Sequence, residues 1–174
     1  MLEHTDAGDR WIPEADYQFI CSRVPILCVD LLPIIGQTNK FGLIERDTYS
    51  GGRGLNLVGG GVLLDEPIPD ALKRHVRATL GGSASLALET LALVGVYQYY
   101  KQAKPDQLHD PRKNAVSVTY TGVLVGPIHP SGEAYAFHAF DLDHPPELDA
   151  FGFGQGPVVY DGLAALRASH EKVF

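Results

Sequence analysis

Apolar residues run almost unbroken through VPILCVDLLPII (24–35), between Pro25 and Pro33. The run is short and rich in β-branched side chains, which predicts a buried strand. One charge, Asp30, interrupts it and has to point out of the core or find a partner. A turn at 36–39 leads to FGLIERD (41–47), a second strand, and the two read as a hairpin. Ile68, Leu72, Val76 and Leu80 recur every four residues and make one stripe of a helix over 68–80. Pro67 and Pro69 suit its start, Gly81-Gly82 its end. ASLALETLALVGVYQYY (84–100) is ambiguous: its beginning fits a helix and LVGVYQYY fits a strand. NAVSVTYTGVLVG (114–126) alternates and predicts a strand, HPSGE (129–133) a turn, and AYAFHAFDL (134–142) another strand. Val159, Leu163 and Leu166 define the face of a C-terminal helix over 158–172. Residues 16–23 suit a short helix. Residues 1–15 read as a polar arm that Trp11-Ile12-Pro13 docks onto the rest. Strands dominate the middle, with two helices placed to cover a sheet.

Composition narrows the classes. The 174 residues are 45% hydrophobic and 20% charged, as in a folded globular chain. With no repeat and no linker, 1–174 is expected to be one domain, with 1–20 as its arm or short helix. Lys and Arg total 14, Asp and Glu 21, a net charge of −7. That balance argues against nucleic acid as a partner, because sequence-independent binding needs a basic footprint. No apolar run is long enough to span a bilayer, so no membrane partner is expected. The polar, acidic opening does not look like a signal or transit peptide, and a cytoplasmic location is the expectation. Cys21 and Cys28 are too few for a disulfide framework or a zinc site and read as reduced thiols.

The chemistry concentrates in GGGVLLDEPIPDALKRHVRATLG (59–81). A glycine-rich turn precedes a helix, but no Gly-Lys-Ser/Thr follows, which excludes a P-loop. No repeated βαβ pattern carries a Gly-x-Gly-x-x-Gly, which excludes a Rossmann site. The segment resembles the signature of the Nudix family: Gly60, Glu66 six positions on, Arg74 eight further, Val76 in the apolar slot and Gly81 at the close, without a gap. FGLIERD, GRGLNLVGGG, DPRKNAVSVTY (110–120) and the final loop and helix extend the resemblance over about residues 22–170. Asn56 and Val58 stand where the family usually has an aromatic and a proline, and His75, Ala78 and Thr79 where it has glutamates.

The resemblance implies an α/β fold, a Nudix-type α/β/α sandwich with a mixed sheet, motif helix and C-terminal helix. It also implies a bacterial protein, a homodimer and a small-molecule ligand, a nucleoside diphosphate linked to another moiety. Family members hold Mg or Mn on the box glutamates. Here Ala78 offers no ligand, Thr79 a neutral hydroxyl, and His75 a nitrogen that suits magnesium poorly. The residual metal candidates are Glu66 and Asp65. Glu66 and His75 are the catalytic candidates, and Glu66 with Arg74 is expected to form a structural ion pair. Arg46, Arg53, Gly59, Gly60, Gly61 and Arg112 are the candidates for substrate binding. His109 and Asp110, and the cluster His138, Asp141, Asp143 and His144, are further polar candidates. Three functions remain open: a metal-assisted hydrolase, a ligand-binding or regulatory module that has lost hydrolysis, and an enzyme using histidine as acid or base.

Overall fold

The computed structural model describes residues 11–170. Their elements are α1 (Glu14–Cys21), β1 (Ile26–Ile35), β2 (Lys40–Asp47), β3 (Arg53–Asn56), β4 (Val58–Gly61), α2 (Ile68–Leu80), β5 (Ser85–Tyr100), β6 (Leu108–His109), β7 (Ala115–Val125), β8 (Ala136–Asp141) and α3 (Gly156–His170). Two short 3-10 turns, Leu148–Ala150 and Gly152–Gly154, precede α3.

The sheet is mixed and curled. β1 lies at its centre, parallel to β7 and antiparallel to β2 and β4, in the order β3-β2-β1-β7-β5-β6 with β8 on β2. Successive β1 side chains face opposite ways. Val29 and Leu31 join Leu72, Val76 and Leu80 of α2 in one core. Leu32 joins Val158, Val159 and Leu163 of α3 in another. The sheet is therefore covered on both faces, the α/β/α sandwich that the resemblance implies. Cys28 and Asp30 share the parity of Leu32 and open onto a cleft beyond the α3 core.

α2 occupies the span that its stripe predicts. Pro67 precedes it in extended geometry, and Gly81 ends it at φ 89°, a conformation that favours glycine. Its last carbonyls are capped from a distant turn: His129 N–H donates to Leu80 O at 2.8 Å and Ser131 N–H to Thr79 O at 2.8 Å.

One expectation changes. The ambiguous segment is entirely strand: β5 pairs antiparallel with β7, with register shifts between Ala87 and Ala92 and between Leu93 and Gly95. The Thr90 hydroxyl bridges this break, donating to Ala87 O and accepting from Val123 N–H. The break shifts the period-2 pattern and produces the helix-like spacing in the sequence. Trp11 and Ile12 of the arm are 52% and 39% exposed. Tyr17 of α1 accepts a hydrogen bond from Lys113 Nζ at 3.0 Å. The first ten residues of the arm lie outside the described residues.

Candidate functional site

The glycine-rich strand β4 runs beside β1 with Gly59 opposite Asp30 and Gly60 opposite Val29. Its glycines make room for neighbouring side chains. A Cβ on Gly59 would fall 2.1 Å from Val29 O and 2.4 Å from Asp30 Oδ1. One on Gly60 would fall 2.7 Å from His75 Cε1, whereas one on Gly61 meets nothing within 4 Å.

Glu66 and Arg74 lock the loop onto α2. Arg74 Nε donates to Glu66 Oε1 at 2.7 Å, and Nη2 to Oε2 at 2.8 Å and to Gly61 O at 2.8 Å. Glu66 Oε2 also accepts Leu63 N–H at 2.9 Å. The Arg74 hydrogen bonds hold the Glu66 carboxyl below the usual range, against the opposing effect of burial. Beside it, His75 Nε2 lies 3.0 Å from Gly61 O. Burial first, then the Arg74 charge, push the His75 pKa down to about 4. The ring is neutral at pH 7, and Nε2–H is the donor to the carbonyl. His75 thus straps α2 to β4.

A magnesium ion does not fit this arrangement. Both Glu66 oxygens are engaged by Arg74 and Leu63. Asp65 is exposed, at φ 56°. Ala78 is exposed, while Thr79 is buried in the α2 core side. Among the described residues no group of three or more His, Cys, Asp or Glu is placed to hold a metal. Among the other polar candidates, His138 pairs with Glu45 at 3.0 Å, Asp141 with Lys40 at 3.6 Å and Asp143 with Arg167 at 3.7 Å.

A cleft beside Gly59 and Gly60 has a cavity of about 60 Å³. Its floor is Cys28 and Asp30 of β1 with Ser117 of β7, and Gly59 and Gly60 border it. Arg46 and Asn56 come from β2 and β3, and Arg112 and Lys113 from the loop before β7. Tyr99 and Gln155 complete a buried network. Leu57 N–H donates to Gln155 Oε1 at 2.9 Å, and Gln155 Nε2 donates to the Tyr99 hydroxyl at 2.9 Å. Tyr99 in turn donates to Asp30 Oδ2 at 3.4 Å, and Ser117 donates to the same oxygen at 2.6 Å. Burial raises the Asp30 pKa; the Ser117 and Tyr99 hydrogen bonds oppose the rise.

The cations are braced. Arg112 grips Asp110 through Nε and Nη2, both at 2.9 Å. Burial raises the Asp110 carboxyl, but Arg112 more than offsets it and leaves the pKa below the usual range. Arg46 Nη1 meets Glu133 at 2.7 Å, while its buried Nε has no partner among the described residues. Both guanidiniums lie near the rings of Tyr49 and Phe153: Arg112 at 4.2 and 5.4 Å, Arg46 at 5.8 and 5.4 Å. Tyr49 and Phe153 sit at φ 57° and 54°, left-handed backbone that costs a non-glycine residue energy and gathers at functional sites.

Of the substrate-binding candidates, the structure brings Arg46, Gly59, Gly60 and Arg112 together at this cleft. Gly61 lies at the α2 junction. Arg53 faces another groove, stacked 3.6 Å from the Tyr135 ring and 3.6 Å from Glu45. Sequence reasoning missed Tyr99, Lys113 and Gln155. Asp30 was marked only as a charge in need of a partner, and that oddity was the available signal.

Solved structures resemble this chain along most of its length. One is described as a possible asymmetric diadenosine tetraphosphate hydrolase from Jonesia denitrificans. It is 26% identical, with TM-score 0.69 over 82% of this chain and 94% of that one. A MutT/nudix family protein from Enterococcus faecalis is 16% identical, TM-score 0.64, over 91% and 76%. An ADP-ribose pyrophosphatase from Streptococcus suis is 23% identical, TM-score 0.54, over 83% and 93%. No curated protein matches. The curled sheet between α2 and α3 is a Nudix fold. Within it, the chain belongs to the family described as a domain of unknown function (DUF4916), whose model matches residues 7–166.

Proposed function

We propose that the protein binds a nucleoside diphosphate derivative in the cleft beside Gly59 and Gly60, as a Nudix-fold binding module without the family's magnesium-dependent hydrolysis. One observation carries this reading. Glu66, the remaining box carboxylate, is spent on Arg74 and Leu63, and His75, Ala78 and Thr79 stand where the resemblance expects glutamates. Magnesium needs free hard oxygens to bridge a diphosphate and activate water, and these residues supply none. The cleft still offers what a diphosphate needs. Arg46 has a buried donor without a partner, and Arg112 lies beside it against the same two rings. His75 supports a strap and not an acid–base role, because its protonation lies well below neutral pH.

Hydrolysis is the second reading, favoured by the similarity to the possible diadenosine tetraphosphate hydrolase. Product release settles between them. Nucleoside diphosphate sugars, ADP-ribose, dinucleotides and nucleoside triphosphates are incubated with magnesium and with manganese. The binding reading expects no product above a protein-free control. Turnover that disappears in Glu66→Gln would overturn it in favour of a hydrolase with an altered ligand set.

A further inference from the structure

Three cations line the cleft, and two of them are neutralised: Arg112 grips Asp110, and Arg46 meets Glu133. Lys113 is different. It is 8% exposed, and among the described residues no carboxylate lies within ion-pair distance of it. Its partner is a phenol. Nζ donates to the Tyr17 hydroxyl at 3.0 Å and lies 5.7 Å from the centre of the Tyr17 ring. Burial lowers the Lys113 pKa, but Cys28 and Tyr17 more than offset it, and the ammonium is charged at neutral pH. Neither neighbour returns a negative charge there, since burial pushes the Cys28 thiol up to about 11 and raises the Tyr17 phenol. The Lys113 charge is felt at Cys28, Asp30 and His75, so it acts on the interior of the cleft. An ammonium has three donors, and burying it without an anion costs free energy. One donor is on Tyr17, which leaves two. α1 supplies that phenol and little else: none of its residues is buried, and among the described residues this is its one side-chain hydrogen bond to the rest of the protein. The cavity sets the size of the missing anion. At about 60 Å³ it has room for roughly four water-sized groups, enough for a phosphoryl group and too little for a nucleoside.

We infer that Lys113 binds the phosphoryl end of the ligand through its two remaining donors, and that Tyr17 is the positioning residue that holds the ammonium at the cleft. This rests on the nucleoside diphosphate reading above. The phosphoryl end enters the cavity and the nucleoside stays outside it, so the cleft recognises the anion and not the base. α1 takes part in binding through one phenol, although it contributes no buried residue to the core.

Titration calorimetry on the full chain, with adenosine diphosphate and with inorganic pyrophosphate, tests this. Lys113→Met keeps the aliphatic stem and removes the charge. It is expected to weaken both ligands about ten- to a hundredfold, the usual worth of a hydrogen bond to a charged group. The melting temperature without ligand is expected to stay level or rise, because a buried charge without an anion has gone. A merely structural lysine would do the reverse, lowering the melting temperature and leaving the affinity alone. Lys113→Gln is expected to lose the same affinity and serves if the Met variant does not fold. Tyr17→Phe is expected to weaken binding severalfold in the wild type and to cost nothing further beside Lys113→Met, because it acts through Lys113. Wild-type affinity in Lys113→Met or Lys113→Gln overturns the role of Lys113 and leaves the diphosphate reading standing. A Tyr17→Phe loss that persists beside Lys113→Met overturns the positioning role. If the wild type binds neither ligand, the inference and the diphosphate reading both fall.

Discussion

Glu66, just before α2, and His75, midway along it, both meet the β4 junction, and protonation of either weakens what it holds. The Glu66 pKa is lowered on folding, so its contribution to stability is present above the ordinary carboxylate range and is lost as pH falls below it. His75 is also lowered, from 6.5 to about 4. Between those values the unfolded chain binds the proton and the folded one does not. Stability conferred by neutral His75 is complete above pH 6.5 and falls as pH drops toward 4. Urea unfolding across that window is expected to show a fall in stability that is shallower in His75→Gln; parallel curves would place the buried ring elsewhere. Removing Glu66 leaves Arg74 and Leu63 N–H without their acceptor. Glu66→Ala is expected to cost about 3 kcal/mol, the order found when one partner of a buried pair is deleted, read as a shift in the denaturation midpoint at neutral pH.

At the scale of elements, three consecutive glycines give a graded test of how tightly β4 is packed. Gly59→Ala sets a methyl against backbone, Val29 O, which cannot move without disturbing β1. Gly60→Ala sets one against the His75 ring, which has to tilt. Gly61→Ala meets open space. Thermal melting is expected to rank them in that order, with Gly61→Ala near wild type. An equal loss at all three would mean that backbone freedom, and not close approach, selects glycine here. α2, β7 and α3 were legible in the sequence because each shows one uninterrupted period. β5 was not, because its break against β7 mimics helical spacing. The purpose of the glycines was also hidden. Their sequence reads as close approach to a ligand, while the atoms they make room for are those of His75 and Asp30, which arrive from a helix and from another strand.

For the molecule as a whole, the sheet and its two covering helices put the box helix on one face and the cleft side chains of β1 on the other. Arg46 and Arg112 were recognisable as possible phosphate contacts. Tyr99, Lys113 and Gln155 were not, because they lie on separate strands and loops that only the curled sheet brings together. The expected homodimer remains a proposal. Among the described residues no helix is long and apolar enough to cross a membrane.

The central claim is that this Nudix fold keeps a diphosphate site and does not use the box as a magnesium site. Calorimetric titration with adenosine diphosphate, in EDTA and again in magnesium, tests it most directly. The account predicts the same affinity in both, and at least a tenfold loss in Arg46→Met, the order expected for removing a charged hydrogen bond. Binding that appears only with magnesium would contradict it and return the box to catalysis.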